Sequence, residues 1–99
     1  MADKTKKQKT NFGNLLEQYR NDQELSQLAL ERLLWKNGYP ITNGLVSRYE
    51  YGERNPPPEF IHAVAKVLDL EKEQADALVE ARLADDSLRF LTAFRDASR

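Results

Sequence analysis

From Phe12 to Phe94 the large apolar residues recur at steps of three and four, and nowhere do they alternate for more than a few residues. Such spacing lines one face of an α-helix, and it gives a β-strand, whose side chains repeat every second residue, no face to bury. Phe12, Leu15, Leu16 and Tyr19 share one side of a first helix, which Thr10 or Asn11 can cap. Ser26 precedes a second, QLALERLLWK, where Leu30, Leu33 and Leu34 keep the period. Asn37-Gly38 stops it, because both residues tolerate positive φ at a helix end. Pro40 then biases Tyr39 towards an extended conformation. Thr42 is placed to cap a third helix running to about Tyr51, and Gly52 ends it. After the NPPP loop, Pro58 suits the first turn of a fourth helix that buries Phe60, Ile61, Val64, Ala65 and Leu68. A fifth, DLEKEQADALVEARL, is expected to turn Ala75, Leu78, Val79 and Leu83 inward. A sixth, DDSLRFLTAFRDA, is expected to be capped by Asp85 or Asp86, with Leu88, Leu91 and Phe94 or Phe90 inward. The expected fold is all-α, with five to six short helices.

Ninety-nine residues suffice for one small domain, and 40% hydrophobic content supplies a modest core. There is no cysteine, which excludes a disulfide framework, a thiolate metal site and a cysteine nucleophile. No apolar run is long enough to span a bilayer, and the basic start lacks a following apolar segment, so a cytoplasmic location is expected. His62 is the only histidine, with no second ligand to make a metal site. No glycine-rich phosphate loop or nucleophile elbow occurs, so no enzymatic chemistry, metal or cofactor is expected.

The net charge of −1 is unevenly spread. Residues 1–54 hold nine basic and seven acidic side chains, a balance of +2, and residues 55–99 hold six and nine, a balance of −3. The front half is the part suited to meet phosphates. Its first ten residues, MADKTKKQKT, carry Lys4, Lys6, Lys7 and Lys9 without apolar periodicity and read as a flexible basic arm.

On a helical wheel of about 100° per residue, Leu45, Val46, Tyr49 and Glu50 fall on one side of the third helix. Asn43, Gly44, Ser47, Arg48 and Tyr51 fall on the other, a side without acidic residues. Asn43 can pair with the N6/N7 edge of adenine, and Arg48 with the O6/N7 edge of guanine or with a phosphate.

In order along the chain, FGNLLEQYRNDQELSQ and ITNGLVSRYEYGERNPP resemble the Cro/CI-type (XRE-like, lambda-repressor-like) helix-turn-helix domains. The resemblance covers roughly Phe12 to Leu70 and implies a lambda-repressor-like fold that binds double-stranded DNA. It implies that Gln27 meets the DNA backbone or an outer base, and that Thr42, Asn43, Gly44, Ser47 and Arg48 face the groove. It also implies a structural ion pair of Arg20 with Glu50, tying the first helix to the third. Tyr51 and the arm lysines complete the expected DNA-contacting set.

The chain departs from the family's pattern between Gln27 and Arg48, where the turn is longer than usual and Glu31 replaces a small residue. The extra space is expected to accommodate Glu31, with Trp35 or Tyr39 packed into the gap.

The expected organisation is an arm over 1–10, a DNA-binding domain over 11–70 and C-terminal helices over 71–99. Phe90, Leu91 and Phe94 offer an apolar strip through which a homodimer is expected. The leading functional expectation is a sequence-specific transcriptional regulator, read as a repressor, on an inverted repeat. The alternative is an antitoxin-like or adaptor module that binds a protein partner, which the acidic second half favours.

Overall fold

The helix boundaries are set by side chains and special backbone conformations at each end. The computed structural model describes residues 8–98. Its five helices are α1 (Asn11–Asp22), α2 (Gln27–Lys36), α3 (Leu45–Glu50), α4 (Pro58–Val67) and α5 (Lys72–Ala97). No strand occurs among the described residues. The Thr10 hydroxyl accepts a hydrogen bond from the Gly13 N–H at 3.0 Å and opens α1. The Ser26 hydroxyl does the same for α2, accepting from the Ala29 N–H at 3.0 Å. Asn37 closes α2, and Gly38 follows at a φ of +87°. Pro58 opens α4, at a position where a missing N–H costs no helical bond.

All five helices contribute to one core. Phe12, Leu16 and Tyr19 of α1, Leu30 and Leu34 of α2, Val46 and Tyr49 of α3, Phe60, Ile61 and Val64 of α4, and Leu78 of α5 are buried together. Ile41 from the long turn and Leu68 after α4 join them. Phe60 is the hub, with its ring centroid 4.5 Å from that of Tyr49 and 6.4 Å from those of Phe12 and Tyr39. At six residues α3 is too short to be stable alone, so its place depends on this packing and on what holds its two ends.

The C-terminal third differs from expectation. Instead of two helices broken at Asp85-Asp86, α5 runs through 26 residues. No glycine or proline lies between Glu71 and Arg99, so nothing in the sequence interrupts the helix. Asp85 does cap a helix, but that helix is α1. It is buried, and its Oδ1 and Oδ2 accept from the N–H groups of Asn11 and Phe12, each at 3.0 Å. The inward side of α5 also differs. Leu78 is buried, but Val79, Leu83, Leu88, Phe90, Leu91 and Phe94 are exposed. The helix turns Leu78, Ala81, Arg82 and Asp85 towards the domain, because its caps and clamps lie on that side. Arg82 Nε donates to the Pro56 carbonyl at 2.7 Å, and Arg89 bonds Asn55 and the Gly52 carbonyl, so α5 fastens the loop that leads into α4. No helix among the described residues is long and apolar enough to cross a membrane.

Candidate nucleic-acid interface

Thr42 does not cap α3. The N-cap is Gly44, at a φ of +83°, and the helix starts at Leu45. A left-handed residue cannot continue a right-handed helix, so Thr42 and Asn43 remain in the turn. The Thr42 carbonyl accepts from the Leu45 N–H at 3.0 Å. Gly44 is therefore present for its conformation rather than for helix-interior contacts.

The capping oxygen for α3 comes from α2. Glu31 is buried, and its Oε2 accepts from the Gly44 N–H at 3.0 Å and the Val46 N–H at 3.4 Å. Two free donors at a helix start are thus met by a carboxylate, which the helix dipole also favours. The expectation that extra space accommodates Glu31 missed this role. A signal was present in the sequence, since an acid next to Leu30 on a buried helix face needs a donor to satisfy it.

The long turn is tied down by Trp35, though not by burying it. Trp35 is 59% exposed, and its Nε1 donates to the Ile41 carbonyl at 3.0 Å. Of the two aromatics expected in the gap, Tyr39 packs against the core and Trp35 does not, because Ile41 fills the core there while the indole lies outside and bonds its carbonyl. Tyr39 is half-buried against Phe60, which pushes its phenol ionisation above the ordinary range.

The other end of α3 is held by charge. Glu50 is fully buried. Arg20 grips it with two parallel bonds, Nε to Oε2 at 2.8 Å and Nη2 to Oε1 at 3.1 Å. The remaining Arg20 nitrogen donates to the Leu25 carbonyl at 2.9 Å, tying in the α1–α2 turn. Gln27 Nε2 donates to Glu50 Oε1 at 2.9 Å, and Lys9 Nζ lies 3.3 Å from the same oxygen. Lys9 also pairs with Glu17 at 2.9 Å and sits over the Tyr51 ring. Burial opposes the charge on Lys9, but its bonds to Glu17 and Glu50 outweigh that and raise its pKa. Glu17 is held below its ordinary range by the Lys9 hydrogen bond. The Glu50 backbone is held as closely, its carbonyl accepting from the Thr10 N–H at 3.0 Å. A methyl group on Gly13 would lie 1.9 Å from that carbonyl oxygen, so only glycine lets α1 cross α3 here.

With both carboxylates turned inward, the outward edge of the turn and α3 presents Thr42, Asn43 and Arg48 exposed, with Gly44, Ser47 and Tyr51 half-exposed beside them. The Arg48 guanidinium makes no ion pair with the described residues. Gln27 and Lys9, expected as DNA contacts, are bonded internally to Glu50, so any contact with DNA would compete with those bonds. Lys4, Lys6 and Lys7 lie outside the described residues. No cluster of histidine, aspartate and glutamate suited to hold a metal ion occurs among the described residues.

The helix-turn-helix family model, of the XRE/Cro-CI-like type, matches residues 16–74, more than half of the chain. No curated protein and no solved structure matches it. The chain therefore belongs to the XRE/Cro-CI-like helix-turn-helix family, whose fold implies binding to double-stranded DNA.

Proposed function

We propose that this helix-turn-helix protein is a sequence-specific regulator of transcription, a repressor, that reads the major groove with the outward edge formed by Thr42 to Arg48. One observation carries the reading. The acids at the two ends of α3, Glu31 and Glu50, are spent on internal hydrogen bonds, and the polar side chains exposed or half-exposed from Thr42 to Arg48 are hydroxyl, amide and guanidinium groups. Such a surface suits the negative potential of DNA. Asn43 and Arg48 are the residues for base edges, as bidentate partners of adenine and guanine. Thr42, Ser47 and Tyr51 carry hydroxyl groups that fit phosphate and sugar contacts. Gln27 and Lys9 act mainly by fixing Glu50, and Lys4, Lys6 and Lys7 add sequence-independent attraction to phosphates. Two copies on an inverted repeat would set their reading edges about one helical turn apart.

The test is selection of bound duplexes from a random pool. The expected result is an enriched inverted repeat whose affinity falls steeply as salt rises. A pool that emerges without enrichment, or binding indifferent to salt, counts against the proposal.

A further inference from the structure

The long turn between α2 and α3 leaves a shallow hollow of about 380 Å³ beside the outward edge, lined by Trp35, Tyr39, Pro40, Ile41, Thr42 and Leu45. Thr42 belongs to both, so the hollow continues the edge. No charged side chain lines it. Trp35 forms a wall that is 59% exposed yet fixed, because its Nε1 donates to the Ile41 carbonyl. With its single donor met, the indole offers an incoming group apolar surface only. A side chain already held in place also loses little freedom on binding.

The rim of the hollow is basic. Arg32 lies three residues before Trp35 and four before Lys36, so the three side chains crowd one side of α2. Both cations are exposed and make no ion pair among the described residues. Glu31 is the only acid of α2 and is turned inward to the start of α3. Glu59 lines a separate groove, between the end of α2 and α4.

We propose that this hollow takes the C5-methyl group of a thymine, next to the base pair that Asn43 reaches, while Arg32 and Lys36 meet the flanking phosphates. The methyl group of thymine is the apolar feature that a base pair presents in the major groove. Phosphates are the groups that two unpaired cations at the rim would hold. An uncharged apolar partner gives those cations nothing to neutralise, whereas a duplex occupies the hollow and the rim together. The inference rests on the DNA reading proposed above. It adds a base pair that neither Asn43 nor Arg48 reads, and it makes Trp35 a specificity-determining residue supplied by the long turn.

Trp35 is the only tryptophan, so its fluorescence reports this hollow alone. When the full chain is saturated with the selected duplex, the emission is expected to move to shorter wavelength and to lose most of its quenching by acrylamide. Duplexes carrying uracil in place of each thymine in turn lack only the methyl group. One position per half-site is expected to lose about fourfold in affinity, the worth of one buried methyl group. Both readouts use the parent chain, so they stand even if a substitution loosens the turn. In Trp35→Ala the uracil penalty should vanish, and affinity for the thymine duplex should fall about 10-fold. Trp35→Phe keeps a ring in the wall and should retain the thymine preference. Arg32→Ala and Lys36→Ala should weaken every duplex alike and each lower the salt slope by about one. Unchanged emission with the duplex bound, no thymine that is penalised, or a penalty that persists in folded Trp35→Ala overturns the proposal and leaves the reading by Asn43 and Arg48 intact. Emission that ignores the duplex but shifts as the protein is concentrated puts a second copy in the hollow, and also overturns it. If no duplex is selected at all, both readings fall.

Discussion

Both ends of α3 finish at a buried carboxylate, but the two are held differently. Glu50, at the C-terminal end, takes bonds from an arginine, a glutamine and a lysine, while its backbone carbonyl is pressed against Gly13. Glu31, at the N-terminal end, meets two backbone N–H groups. The first end joins α3 to α1 and α2 by charge and by steric fit. The second end joins it to α2 through one side chain, with the Trp35 indole tying the turn from outside. The helix is therefore fixed where it meets the core and more lightly held where it would meet DNA. Damage at the first end should show mainly as lost stability, and damage at the second mainly as altered binding.

The largest expected effect is that of Glu50→Ala, which strands the buried Arg20 and leaves Lys9 with Glu17 alone. It should cost about 3–5 kcal/mol, a large share of the roughly 5–15 kcal/mol that stabilises a small domain. Urea denaturation measures this directly, and a cost under about 1 kcal/mol would place the pair on the surface in energetic terms. Gly13→Ala should come next, at about 1–3 kcal/mol or more, because the added methyl can be fitted only if the α1 and α3 backbones move apart. If that variant melts like the parent, the close approach of the two helices is wrong. Glu31→Ala frees two N–H groups at a helix start and should cost about 1–2 kcal/mol, in the range of a lost N-cap. Glu31→Gln should recover most of that loss by keeping an acceptor oxygen. The comparison predicts that Glu31→Ala weakens DNA selection by more than its stability loss accounts for. Equal binding by folded Glu31→Ala and parent protein would show that the N-terminal end of α3 needs no such holding.

The smallest expected effect is in the response to pH. Tyr19, Tyr39 and Tyr49 are raised above 10.0 by burial, and Lys9 above 10.5 by ion pairs that outweigh its burial. A raised folded value means that the stability linked to the group is fully present below its unfolded value and lost as pH rises through the folded one. Glu17 is lowered from 4.5, so its contribution is present above that value and lost as pH falls through the folded one. Lys9→Met should therefore flatten stability slightly at both the acid and the alkaline end. Melting curves across pH, with phenolate absorbance followed above pH 10, would measure it.

Much of this design was legible in local patterns. Thr10, Ser26, Asn37-Gly38 and Pro58 mark helix ends by chemistry that acts within a few residues, and the structure places the ends there. What local pattern could not give was the long-range use of the same chemistry. Asp85 and Glu31 are acids at helix starts, as such acids often are, but each caps a helix far from its own place in the chain. Leu83, Phe90 and Phe94 obey helical periodicity, yet period alone cannot say whether a stripe faces its own domain or open space. Thr42, a good cap, points to a helix that includes Gly44, and only the positive φ of Gly44 shows that the helix starts after it. The helical wheel and the family resemblance both point to Asn43, Gly44, Ser47 and Arg48, and these positions are exposed or half-exposed.

The most direct test of the central claim is a binding measurement with the selected duplex and its single-base variants, made for the parent and for Arg48→Ala. If Arg48 reads a base from the outward edge of α3, the substitution abolishes preference at one base pair per half-site. It should cost about 1–3 kcal/mol there and leave the other positions ranked as before. Uniform weakening at every position would make Arg48 a phosphate contact, and unchanged binding would mean that this edge does not face DNA.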